Sequence, residues 1–182
     1  MRAIELVFLT GWAVFWLGWL AAATRTKPGR AQWGRSAGVR VAILIVVIIL
    51  TRLKVFRGHA LITNPWMHGV GLALFVAGLA LAVWARVYIG RNWGTPMSQK
   101  ADPDLVTSGP YRRIRHPIYS GIILAMIGTA VALSPFWLVP VVILGGYFVY
   151  SATNEERYMT QRFPDTYPDY KHSTKMLIPF IF

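Results

Sequence analysis

The sequence predicts an all-helical integral membrane protein of about five membrane helices, the last two a tight hairpin, followed by a cytosolic helical tail. Three observations carry that expectation. Of 182 residues, 55% are hydrophobic and only 14% charged, and the mean hydropathy is +0.45, a composition that belongs in a bilayer. The apolar residues fall into separate runs, several close to the roughly 20 residues a helix needs to cross the hydrocarbon. The basic residues behind the net charge of +12 sit in loops between those runs, where they suit anionic headgroups better than nucleic acid.

Taken in order, residues 4–23 form the first apolar run. Ala21, Ala22 and Ala23 look like a signal-peptide cleavage site, but the tryptophan-rich core and the lone Arg2 favour a retained helix. Trp12, Trp16 and Trp19 share one face, which reads as interface belt or helix packing. Residues 24–40 make a loop with five basic and no acidic side chains. The second run, 41–50, is short for a span unless its flanks extend it. Asn64 and Pro65 break the chain before a third run, 66–88, in which Gly69, Gly71 and Gly78 would let a neighbouring helix come close. Residues 89–116 read as a long polar loop. The fourth and fifth runs, 118–133 and about 136–150, are parted only by Ser134 and Pro135, which makes them a helical hairpin. With the first loop, the third loop and the tail inside, only Arg2, Arg52, Lys54 and Arg57 lie outside, so the N-terminus is outside and the C-terminus cytoplasmic. The chain is thus one membrane domain, 1–182, with three N-terminal spans in 1–87 and a loop, hairpin and tail in 88–182.

The absence of cysteine removes disulfides, thiolate nucleophiles and cysteine-ligated metals. His59, His68, His116 and His172 show no metal-ligand spacing, so no metal is expected. Chemistry concentrates in 107–121. Gly109 and Pro110 make a turn, Pro117 suits a first helical position, and an apolar helix follows. His116, Tyr119, Arg112, Arg113 and Arg115 therefore gather where a membrane helix begins, and helix N-termini favour electron-rich groups. His116 reads either as a helix cap or as a ligand-binding group. After the fifth run come Glu155 and Glu156, which read as an ordinary solvated turn or, because the hairpin returns them to the face of His116, as part of a site. Asp102 and Asp104 read as loop solvation.

Gly109-Pro-Tyr111, Arg115-His-Pro-Ile-Tyr-Ser-Gly121, the pair Glu155-Glu156, and Phe163, Tyr167 and Tyr170 ahead of Ile178-Pro179 together resemble the isoprenylcysteine carboxyl methyltransferase and phospholipid methyltransferase superfamily. The resemblance covers roughly 88–179. It implies an integral membrane enzyme that binds S-adenosylmethionine in a cytosol-facing pocket, releases S-adenosylhomocysteine, and takes a lipophilic small molecule or prenylated acceptor from the bilayer. It further implies that Trp93, Gly109, Tyr111, His116, Pro117, Tyr119, Glu155, Glu156 and Tyr170 bind the cofactor, and that Arg115, Glu155 and Arg162 serve the chemistry. Glu155 or Glu156 would accept from ribose hydroxyls or an ammonium, and Tyr119 and Trp93 would offer ring faces to adenine or sulfonium.

One departure bears on the acceptor. The prenylcysteine enzymes resembled here carry an arginine four residues before the first glutamate, and this chain has Ser151. A carboxylate acceptor would then need Arg112, Arg157 or Arg162, and an amine, thiol, hydroxyl or acid stays open. Two other readings are a sterol-reductase-like NADPH-dependent membrane oxidoreductase, which is similar in the same C-terminal architecture, and a small scaffold or transport protein.

Overall fold

A computed structural model describes residues 3–23, 29–31, 61–93, 98–100 and 104–182. The second apolar run and the basic side chains of the first loop lie outside these residues, as do Arg52, Lys54, Arg57 and Asp102. The described helices are α1 (Ala3–Ala23), α2 (Pro65–Ile89), α3 (Pro117–Leu133), α4 (Leu138–Arg162) and the short α5 (Tyr167–Ser173). Three stretches, Ala3–Ala22, Pro65–Asn92 and Pro135–Arg162, are long and apolar enough to cross a membrane, and α3 is a shorter apolar helix of 17 residues. The fold is helical apart from one feature not expected from the sequence. Two three-residue strands, β1 (Gly29–Ala31) and β2 (Ser98–Lys100), pair antiparallel with Gly29 opposite Lys100.

The helices start where local chemistry lets them. Asn64 caps α2 by accepting from the Trp66 N–H at 2.9 Å, with Pro65 in the first turn. Gly90, at φ +56°, ends it. Ser134 and Pro135 open a single 3₁₀ turn that leads into α4. The sequence led us to end the fifth span near residue 150, yet α4 runs on to Arg162. No glycine or proline interrupts 147–162, so the ladder continues and places Glu155 and Glu156 inside a helix.

α2 and α3 are in near-backbone contact. A Cβ at Gly71 would come within 2.6 Å of the Ala132 N, and one at Gly78 within 2.5 Å of the Gly121 carbonyl. Gly69, by contrast, faces open space. Lipid supplies no hydrophobic force between helices, so this closeness gains its stability from dispersion contacts. α1 leans on the pair: Phe8 packs on Phe75 at 4.6 Å between ring centroids, and the Trp12 indole donates to Thr129 Oγ1 at 3.2 Å. A second cluster joins Phe15, Ala82, Tyr119, Ile122, Phe148, Ala152 and Leu177, which brings α1, α2, α3, α4 and the tail to one end of the bundle.

Candidate functional site

Pro117 occupies the first position of α3 and is fully buried, while His116 stands at the N-cap in a non-helical conformation. Its side chain makes no cap bond. The segment after α5 runs beside this helix start instead. The Arg115 N–H donates to the Lys175 carbonyl at 2.8 Å, the His116 N–H to the Met176 carbonyl at 3.1 Å, and Ser120 Oγ to the Leu177 carbonyl at 2.6 Å.

Adjacent glutamates on α4 take different partners, because neighbouring helical residues point about 100° apart. Glu156 is buried. It accepts from Arg115 Nε at 2.6 Å and pairs with Lys171 Nζ at 2.9 Å. Arg115 in turn donates through Nη1 to the carbonyls of Thr174 at 2.6 Å and Lys171 at 3.1 Å, which fastens α5 to the start of α3. Glu155 turns the other way and accepts from the Tyr119 hydroxyl at 2.6 Å. His116 lies between the two acids, with Nδ1 3.6 Å from Glu155 and Nε2 3.5 Å from Glu156. Nε2 is buried without a hydrogen-bond partner. The imidazole stacks on Tyr119 at 5.5 Å with the rings nearly parallel, and Tyr119 stacks on Phe148 at 4.7 Å.

In front of Glu155 opens a cavity of about 270 Å³. Its lining brings together Trp93, Tyr111, Arg115, His116, Tyr119, Glu155 and Tyr170 from among the residues the sequence singled out. Gly109, Pro117, Glu156 and Arg162 are not in that lining. Gly109 acts one step back: at φ +59° it turns the chain over the Tyr88 ring and delivers Tyr111, whose carbonyl accepts from the Tyr170 hydroxyl at 2.7 Å. The Arg162 guanidinium lies 5.7 Å from the Phe163 ring. Arg112 and Arg157 are exposed and also outside the lining, and Ser151 is buried in the helix interior. Burial pushes the phenols of Tyr111, Tyr167 and Tyr170 well above their ordinary pKa, so they stay neutral through the working pH range.

Sequence reasoning missed several walls of this cavity. Trp16 and Trp19, read as interface belt or packing, line it from α1, and Asp104, read as loop solvation, lines it while accepting from Asn92 at 3.0 Å. Tyr158 and Met159 line it from the part of α4 beyond the expected fifth span; they follow Glu155 by three and four residues, a spacing that would have found them. Behind the lining, Arg86 is buried, donates to the carbonyls of Ala22 and Gly90, and sits 4.3 Å from the Trp93 ring. Its signal was a lone cation in the last turn of an apolar run. Among the described residues no cluster of histidine and acidic side chains is arranged to hold a metal ion.

The family model described as phospholipid methyltransferase matches residues 66–166, from the first turn of α2 to the start of the tail. The chain is 27% identical over 143 residues to the cobalt-zinc-cadmium resistance protein CzcN of Cupriavidus metallidurans, which covers 77% of this chain and 63% of that protein. It is 29% identical over 146 residues to protein-S-isoprenylcysteine O-methyltransferase B of Arabidopsis thaliana, covering 78% and 73%. Among solved structures, the eukaryotic intramembrane Ras methyltransferase ICMT is similar with a TM-score of 0.57 at 23% identity, over 84% of this chain and 55% of that one. The likeness to ICMT is one of membrane fold. The match spans less than two thirds of CzcN and about half of the solved chain.

Proposed function

The chain belongs to the phospholipid methyltransferase family, and from that premise we propose that it transfers a methyl group from S-adenosylmethionine to a lipophilic acceptor at the membrane interface. The observation that carries this reading is the cavity at the start of α3, where Tyr119 fixes Glu155 at 2.6 Å and stacks on His116. The residues present fit the cofactor. Rings from Trp19, Trp93, Tyr111, Tyr119 and Phe148 suit a planar base and a sulfonium, and Glu155 and Asp104 suit hydroxyls or an ammonium. S-adenosylmethionine supplies, when bound, an electrophilic methyl group that leaves without a covalent enzyme intermediate.

The chain's own work is then binding, orientation and exclusion of water. Glu155 is held in one orientation by Tyr119, and so presents a fixed acceptor rather than a mobile one. Trp16 and Trp19 close the cavity from α1 with ring faces that tolerate an apolar acceptor. Arg115 is a positioning residue, since Nε and Nη1 are committed to Glu156 and the tail. The acceptor class follows from the same lining. Among the described residues Arg115 is the one arginine or lysine in it, so an uncharged or amine acceptor suits the cavity better than a carboxylate. The site faces the cytoplasm, on the side that collects the basic residues of the third loop and the tail.

Calorimetric titration of S-adenosylmethionine and S-adenosylhomocysteine into the detergent-solubilised protein tests this. Saturable binding is expected for both, weakened about 10- to 100-fold in Glu155→Gln and His116→Ala, the equivalent of one charge-assisted hydrogen bond. Absence of binding to folded wild-type protein would overturn the proposal.

A further inference from the structure

We infer that the apolar turn formed by residues 178–182 is a membrane-inserted element, seated at the boundary of headgroups and acyl chains beside the start of α3, with lipid hydrocarbon as its partner. This revises the expectation of a wholly cytosolic tail, and it holds whether or not the cavity performs methyl transfer.

The direction of the chain is the first argument. Ile114 and Lys175 pair in parallel, and the bonds from Arg115, His116 and Ser120 reach Lys175, Met176 and Leu177 in the same order. The tail therefore runs alongside the chain as that chain enters α3, from the polar rim towards the apolar interior. Depth is the second argument. Leu177 packs with Tyr119, Ile122, Phe148 and Ala152. Phe148 precedes Glu155 by seven residues of α4, on the order of 10 Å further along the helix from the polar end.

Composition and hydrogen bonding then fit an acyl boundary better than water. After Lys175, residues 176–182 carry no charged side chain. Ile178, Phe180, Ile181 and Phe182 are 49%, 81%, 75% and 48% exposed, a contiguous apolar surface that water would penalise. The turn pairs four of its own N–H groups: those of Leu177 and Ile178 donate to the Phe182 backbone oxygen, and those of Ile181 and Phe182 to the Ile178 carbonyl. Pro179 has no N–H to satisfy. Such self-pairing is what a non-helical segment needs where water is scarce. Phe180 holds φ +67°, a conformation that costs an L residue about 1–2 kcal/mol. Exposed lysine at 175 stands at the start of the turn, where a cation meets headgroups.

The chain has no cysteine, so single cysteines can be labelled cleanly. Phe180→Cys, Ile181→Cys and, as a reference on the exposed face of α5, His172→Cys would each be spin-labelled in the full chain. The labelled proteins would be reconstituted into vesicles of phosphatidylcholine and phosphatidylglycerol. Collision with oxygen, which concentrates in hydrocarbon, is compared with collision with a water-soluble nickel chelate. Oxygen should dominate severalfold at 180 and 181, with the order reversed at 172. Nickel dominance at 180 and 181 would place the turn in water and overturn the inference. Exclusion of both reagents would do so equally, because protein rather than lipid would then cover it.

Discussion

Towards α2, α3 presents Gly121, Ala125, Gly128 and Ala132 to a facing row that includes Gly71 and Gly78; towards α4 and the tail it presents His116, Tyr119 and Ser120. The first face has almost no side chain and is held by the approach of two backbones. The second is held by a small number of charged and polar contacts grouped at one end. The difference separates two tasks that a membrane protein must perform with one helix. A glycine seam fixes where α3 stands, without polar groups that lipid would penalise. The polar face gathers its charge at the helix start, near the interface, where a ligand and a tail can both be held.

The seam is where one substitution should do most damage. Gly78→Leu would drive a side chain into the Gly121 carbonyl and the Ala125 backbone, which cannot yield without separating the helices. A loss of about 3 kcal/mol or more is expected in equilibrium unfolding from mixed micelles. Gly69→Leu, where no atom lies within 4 Å, should stay within about 0.5 kcal/mol of wild type. Equal losses at the two positions would mean that helix propensity or lipid contact, rather than the seam, sets the response.

On the polar face the two glutamates divide stability and binding between them. Glu156→Gln leaves Arg115 buried beside a neutral group and releases Lys171, so it should cost about 3 kcal/mol of stability and increase proteolysis of the tail. Glu155→Gln, with its side chain 27% exposed to the cavity, should cost under about 1 kcal/mol while weakening cofactor binding. Reversal of that pattern, with Glu155 carrying stability and Glu156 only binding, would sink the division of roles drawn here.

Legibility in the sequence followed the same divide. The apolar runs with a proline at the start, at Pro65 and Pro117, gave helices within a residue or two of those observed, because bilayer length and missing N–H groups act locally. The small-residue contact was readable at Gly71 and Gly78 but not distinguishable from Gly69, since only packing decides which glycines meet a neighbour. The extension of α4 was obscured by a change from apolar to polar composition, which marks the membrane's edge rather than the helix's. Strands of three residues carry too little pattern to be seen. At the site, Tyr111, Arg115, His116, Tyr119, Glu155 and Tyr170 converge on one cavity, but adjacency in sequence hid that Glu155 and Glu156 face different partners. The tryptophans of α1 were ambiguous because a stripe that packs and a stripe that lines a cavity have the same spacing.

The smallest effect probes how the tail is docked. Tyr170 donates to the Tyr111 carbonyl at 2.7 Å, and burial raises its pKa above the ordinary value of 10.0. The native state thus holds this proton more tightly than the unfolded chain does. Its contribution is complete below about pH 10 and declines as the pH rises further, by about 1.4 kcal/mol per pH unit for a single phenol. Tyr170→Phe should therefore cost about 1 kcal/mol at pH 8, the net worth of one hydrogen bond. Because the variant has no proton to lose there, the gap should close by about pH 11. Thermal unfolding of both proteins across that range reads the difference directly. A gap that stays constant with pH would show that Tyr170 contributes by packing alone, and the tail would then be docked chiefly through Arg115 and Glu156.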